Sequence, residues 1–332
     1  MTAVSIGDMA QVFLLRRHNA TTSRELGELT ADLARGTVAD PGRHLGGKIS
    51  PLAVIEAELS RASAYVAVAD QNATRAAAMQ ASLGRISDAA SSNATALLRA
   101  AQSGEASGLS TVARAAMAAL EDAVAALNTR VADQSLFAGM ANDRAPLPDT
   151  AAILASAKAA IGQPGLPADA AAALDAWLAD PNGFQAQIYR GTADTSPVPI
   201  GPNETANLDV TAADPTLRGT FRGLILGALM SDPDYAAQSN QIALARLAGD
   251  SLITSSSDRV TLSARIGMAE ARLTAAQSRH AAEQLVLQQA RSDLIAVDGY
   301  ETSSRLQATE ARLEMIYTLT SRLSRLSLVD YL

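Results

Sequence analysis

The chain has 332 residues, a formal net charge of −7, an isoelectric point near 5.1 and no cysteine. Those values exclude disulfides, thiolate catalysis and cysteine-based metal sites, and leave no general basic surface for nucleic acid or anionic lipid. Hydrophobic residues make up 48% but aromatics only 3%, so the core must close with small side chains. The many alanines are strong helix formers and point to long helices lying near one another.

The N-terminus has no charged segment followed by an apolar core, so no cleaved secretory signal is expected. A first helix is predicted over residues 8–35, with Leu26, Leu29 and Leu33 on one face. Gly36 stops it, and Asp40-Pro41-Gly42 with Gly46-Gly47 form a loop. A second helix opens at Ser50-Pro51, with serine as cap and proline in the first turn. Its apolar positions (Leu52, Ile55, Leu59, Ala62, Val66, Ala69 and onward to Ala90) step by three and four, a heptad seam with one slip at Met79. Ser103-Gly104 ends it, and a third helix is predicted over 109–131.

The middle differs in kind, with nine prolines between Pro146 and Pro215. Short helices are predicted over 150–161 and 168–178, then strand-like stretches over 184–189 and 206–210 separated by a Gly/Pro-rich loop. The strongly apolar run Leu224-Ile225-Leu226 is far too short to cross a bilayer. Helical periodicity returns at Asp214-Pro215, and a heptad-like run from Asp258 reaches Val297. Asp298-Gly299 interrupts it before a last amphipathic helix with Leu306, Thr309, Leu313, Ile316, Thr320, Leu323 and Leu326 on one stripe. The chain closes on Leu328, Val329, Tyr331 and Leu332, which are costly to leave in water. A partner must cover them.

Candidate chemistry is thin. Gly42 to Lys48 meets the first seven positions of a phosphate-binding loop, but the eighth is Ile49 where magnesium needs a hydroxyl, and no strand precedes it. His18, His44 and His280 stand far apart without paired-ligand spacing, and His280 falls on the apolar seam as a structural position. Glu301, Glu310 and Glu314 alternate with arginines as a solvated helix face does. No catalytic residue, cofactor or metal ligand can be nominated, and the reading is not an enzyme.

The terminal segments carry a resemblance. Ala311-Arg312-Leu313-Glu314 with Tyr317, followed by the run from Ser321 to Leu332, is similar to the carboxyl terminus of the flagellin superfamily. Leu33-Ala34-Arg35-Gly36 and the Asp40-Pro41 turn resemble the break that follows that family's first helix. Leu136-Phe137-Ala138-Gly139, with Arg144-Ala145-Pro146-Leu147, resembles the exit from the rod domain in its hook-associated members at the hook–filament junction. The opening Arg16-Arg17-His18 departs from the family's more neutral pattern.

The expected fold is mainly α: an elongated multi-helix coiled-coil rod formed by the N- and C-terminal segments, with a small α+β central insertion. The expected divisions are 1–40 and 299–332 as helices of an inner polymerisation domain, 41–141 and 233–298 as rod helices, and 142–232 as a surface insertion. The resemblance implies a structural junction component of the flagellum. It further implies export through the flagellar type III route without a cleaved signal, an extracellular place, and a cytoplasmic chaperone on the C-terminal helix. It makes self-association, a neighbouring hook-associated protein and flagellin the partners. Because much of the terminal stripe is buried only once neighbours are present, the termini are expected to order on assembly. The assembly interface would comprise Leu26, Leu29, Leu33, Leu306, Leu313, Ile316, Tyr317, Leu323, Leu326, Leu328, Tyr331 and Leu332, and the rod-domain motif Leu136, Phe137 and Gly139. Two other readings fit the helical pattern. One is a flagellin proper, the filament subunit. The other is a cytoplasmic coiled-coil signalling or scaffold protein, which gives no reason for an apolar terminus.

Overall fold

The computed structural model describes residues 6–163 and 165–329. The fold is mainly α, with two small two-stranded antiparallel sheets among the described residues, and it divides into two compact units, 1–63 with 282–332 and 64–281.

In the first unit, α1 (Ile6–Arg35) and α11 (Gly299–Val329) pack against each other. An antiparallel bridge between Thr37 and Ala296 joins the end of α1 to the start of α11, so the helices run in opposite directions. Val38 N–H donates to Ile295 O at 3.0 Å and Val297 N–H to Gly36 O at 3.1 Å. Gly36 sits at φ +71° and its N–H reaches back to Asp32 O, a left-handed stop that a side chain would strain. The Asp32 carboxylate accepts from Ala39 N–H at 2.9 Å, and Asp298 accepts from Tyr300 and Glu301 N–H, capping α11. The short α2 (Pro41–His44) is capped the same way by Asp40. This unit also holds the first turns of α3 (Ser50–Ser103) and the last turns of α10 (Ser256–Ile295), tied by Arg291 to Glu56 at 3.3 Å.

The second unit centres on α8 (Arg218–Leu229), which is buried over most of its length among α4 (Ala106–Leu127), α6 (Pro167–Ala179) and α9 (Gln238–Thr254). Three glycines four residues apart let neighbours come close. A Cβ on Gly219 would meet Ser255 Cβ at 2.8 Å, one on Gly223 would meet Leu252 Cγ at 2.5 Å, and one on Gly227 would meet Ala116 Cβ at 2.7 Å. Side-chain shape, not bulk, closes this core, as the shortage of aromatic residues requires. Phe184 bridges Trp177 and Phe221, with ring centroids at 5.5 and 5.1 Å. Around it lie α5 (Thr150–Ile161), capped by Asp149, and the four-residue α7 (Phe184–Gln187). The seam predicted for α3 is real: Ala62, Ala69, Ala76, Met79, Leu83, Ile86 and Ala90 are all buried. Within this unit α3 and α10 run antiparallel, Gln277 reaching Asp70 and Gln80 reaching Ser263 O.

Several expectations need correction. Residues 184–189 are not a strand but α7 and its exit, because Gly183 N–H turns back to Asp180 O and starts a helical turn there. Residues 206–210 do alternate, with Ala206 and Val210 buried and Leu208 half-buried, yet only Ala206 is in a ladder. That ladder pairs β3 (Val198–Gly201) with β4 (Glu204–Ala206) in the segment read as a loop. A second hairpin, β1 (Arg130–Val131) with β2 (Gln134–Ser135), follows α4, which ends at Leu127 and not at 131.

The glycine contacts give a paired test. Gly223→Ala should lower stability by about 1–3 kcal/mol through overpacking. Gly84→Ala, at a helix position with no neighbouring atom within 4 Å, should raise it by up to about 1 kcal/mol through helix propensity. Urea denaturation midpoints of the two variants check both signs.

Candidate assembly interface

The terminal helices meet along a seam of alternating four- and three-residue steps. From α1 it takes Leu15, Asn19, Thr22, Leu26 and Leu29, and from α11 Thr302, Leu306, Thr309, Leu313 and Ile316. This is heptad geometry, but the seam is only partly apolar. Thr22, Thr302, Thr309 and Ile316 are buried, whereas Leu26, Leu29, Leu306 and Leu313 remain half-buried. Thr309 satisfies its hydroxyl on Arg305 O at 2.8 Å. Two helices have one mutual face, and among the described side chains most of the remaining circumference of each is exposed.

That open surface carries apolar side chains. Phe13 is 67% exposed, Met315 63% and Tyr317 54%, with Leu14, Leu33 and Leu319 also exposed. Ala308, Ala311, Met315 and Leu319 form an outward stripe on α11. The structure therefore splits the predicted interface residues. Leu26, Leu29, Leu306, Leu313 and Ile316 hold α1 to α11, while Leu33 and Tyr317 face outward. The side chains of Leu323, Leu326 and Leu328, and all of Tyr331 and Leu332, lie outside the described residues. Sequence reasoning missed Leu15, Asn19 and Thr22 on α1, although their 4-3 spacing with Leu26 and Leu29 was the available signal.

The rod-domain motif is a buried junction. Leu136 and Phe137 are buried, and Gly139 adopts φ +63° where a Cβ would meet Thr192 O at 2.2 Å. Backbone pairs fix the segment on both sides: Ala212 N–H donates to Phe137 O at 2.9 Å, Thr192 N–H to Ala138 O at 3.0 Å and Met140 N–H to Asp194 O at 3.1 Å. Asn128 holds Leu147 in both directions, accepting from its N–H and donating to its carbonyl, each at 3.0 Å. The Tyr189 hydroxyl donates to Thr192 O at 2.8 Å.

The segment from Gly42 to Lys48 forms α2 and a turn, with Gly46 and Gly47 at positive φ and no preceding strand. His280 is 4% exposed, contacts Ile200 O through Nε2 at 2.9 Å and stacks on Tyr65 at 4.9 Å, a structural place on the α3–α10 seam. Among the described residues no group of three or more His, Asp or Glu could hold a metal ion. Among them no helix is long and apolar enough to cross a membrane.

Burial pushes the Tyr189 phenol up to about 12. The neutral form is favoured in the folded chain, so this contribution is complete below the unfolded value near 10 and is lost as pH rises towards 12. Tyr189→Phe should show a shallower loss of stability between pH 10 and 12 than the parent chain, read from urea midpoints along that range.

Comparison with known proteins bears on the same region. Residues 251–332, about a quarter of the chain, match the family model of the bacterial flagellin C-terminal helical region. No curated protein matches the chain. A solved structure from Vibrio parahaemolyticus, named as a flagellar hook-associated protein, shares 14% identity over 73% of this chain and 95% of its own, with a TM-score of 0.49. Through the end of α9, α10 and α11, the chain is similar to bacterial flagellin.

Proposed function

We propose that the protein is a structural component of the bacterial flagellum, a hook-associated junction protein that links hook to filament through its terminal helices. The observation that carries this reading is the α1–α11 pair. Its α11 lies in the flagellin-like part of the chain, and the outer faces of the pair expose Phe13, Leu14, Met315, Tyr317 and Leu319. Covering such side chains contributes about 1.5–3 kcal/mol each, enough to drive association once several are buried together. Its partners are other copies of itself, a neighbouring hook-associated protein and flagellin. Before export a cytoplasmic chaperone covers the C-terminal helix, and the protein works outside the cell. Its role is architectural, without catalysis.

Deletion of the gene, with electron microscopy of the cell surface and assay of the medium for flagellin, tests this directly. Hooks without filaments, and flagellin released to the medium, are expected. Loss of filaments with no flagellin in the medium would instead make this chain the filament subunit. Normal filaments would overturn the flagellar reading.

A further inference from the structure

Charge is unevenly spread along α1. In a chain of net charge −7, residues 9–24 contain Arg16, Arg17 and Arg24 and no aspartate or glutamate. Glu25 and Glu28 close this stretch. The Arg16-Arg17-His18 run that departs from a neutral opening is thus the centre of a longer acid-free segment. The outer face of α11 differs, because exposed Glu310 and Glu314 lie among its apolar side chains.

Helical phase puts the arginines of α1 beside exposed apolar groups. Phe13, Arg17, Ala20 and Arg24 step by four, three and four residues, so at about 3.6 residues per turn they lie along one line. That line is opposite Leu15, Asn19, Thr22 and Leu26, which form the seam with α11. Leu14 and Thr21 run beside it on one flank, and Arg16 stands on the other. All of these outer residues are exposed, and among the described residues Arg16, Arg17 and Arg24 form no ion pair. The Thr21 hydroxyl donates into its own helix, to Arg17 O and His18 O, so it makes little demand on an outside partner.

We infer that this face of α1 docks on an anionic lipid surface in the unassembled chain, with Phe13 and Leu14 entering the headgroup layer and the three arginines on lipid phosphates. An aromatic and a leucine flanked by arginines is the pattern of a helix that lies in a bilayer interface. Arginine stems can run along the apolar boundary while their guanidinium groups stay at the phosphates. A fluid surface asks only for apolar and cationic groups on one convex face, whereas a protein partner asks for a matched shape. The inference goes beyond the assembly role and does not depend on it.

The test is flotation of the full chain, kept dilute, with vesicles of phosphatidylcholine alone or mixed with phosphatidylglycerol. Binding is expected to the mixed vesicles and not to phosphatidylcholine alone, and should weaken as salt rises from about 0.05 to about 0.5 M. Each arginine at an anionic surface contributes about fivefold in affinity, so Arg16→Gln with Arg17→Gln should weaken binding about 25-fold. Phe13→Ala should weaken it about tenfold. Arg114→Gln with Arg246→Gln makes the same charge change at exposed positions of the second unit and should leave binding unchanged. Helix content by circular dichroism confirms that each variant keeps its fold. Equal binding to both kinds of vesicle, or an equal loss in the Arg114 and Arg246 variant, would overturn the inference. Failure of the parent to bind the mixed vesicles would also overturn it, and capture on immobilised polyglutamate in that case would assign the face to an acidic protein instead.

Discussion

Two helices packed against each other share only one face, and the α1–α11 pair is therefore an unfinished fold. Its seam is filled in part by Thr22, Thr302 and Thr309, whose hydroxyls need local partners and whose burial yields less than leucine would. The leucines that do contribute stay half-buried, and larger side chains face outward. Stability of this unit depends on what covers its outer surface. A complete four-helix core would fold early and resist unfolding, whereas a marginal pair remains pliable until neighbours arrive.

The second unit obeys the opposite rule. Its α8 is covered by α4, α6 and α9, and the Gly219-Gly223-Gly227 series brings those helices to distances that a single methyl would prevent. Alanine seams on α3 and α10 continue the same economy of volume. The Leu136–Gly139 segment is held by backbone pairs to Thr192, Asp194 and Ala212, so a stretch outside the helices behaves as part of the core. Buried charge is handled locally: Arg265 pairs with Asp214 at 2.7 Å, and Arg259, 4% exposed, relies on the hydroxyls of Thr220 and Ser255. One unit buries its central helix within itself, and the other leaves apolar side chains of its terminal helices exposed.

Much of this was legible in the sequence, for identifiable reasons. Long helices announce themselves by period and by punctuation, so Gly36, Ser50-Pro51 and Asp298-Gly299 mark boundaries that the structure keeps. Short elements do not. Phe184, Ala186 and Ile188 alternate as a strand would, but Gly183 starts a helical turn there and four residues are too few for periodicity to decide. The β1–β2 hairpin turns through Ala132 and Asp133, both at positive φ, a pair that lacks the usual Asn-Gly signature. On α1 the leucines drew attention while Asn19 and Thr22, which share their face, did not, because a polar residue at a seam position looks like an interruption. The glycine series on α8 was visible but gave no hint of which helices it would admit.

Amide hydrogen exchange on the dilute monomer and on the assembled protein measures the central claim most directly. If the terminal pair is completed by its neighbours, α1 and α11 amides should exchange far faster than those of α4 and α8 in the monomer, and become slow on assembly. Terminal helices as protected in the dilute monomer as α8 would contradict it.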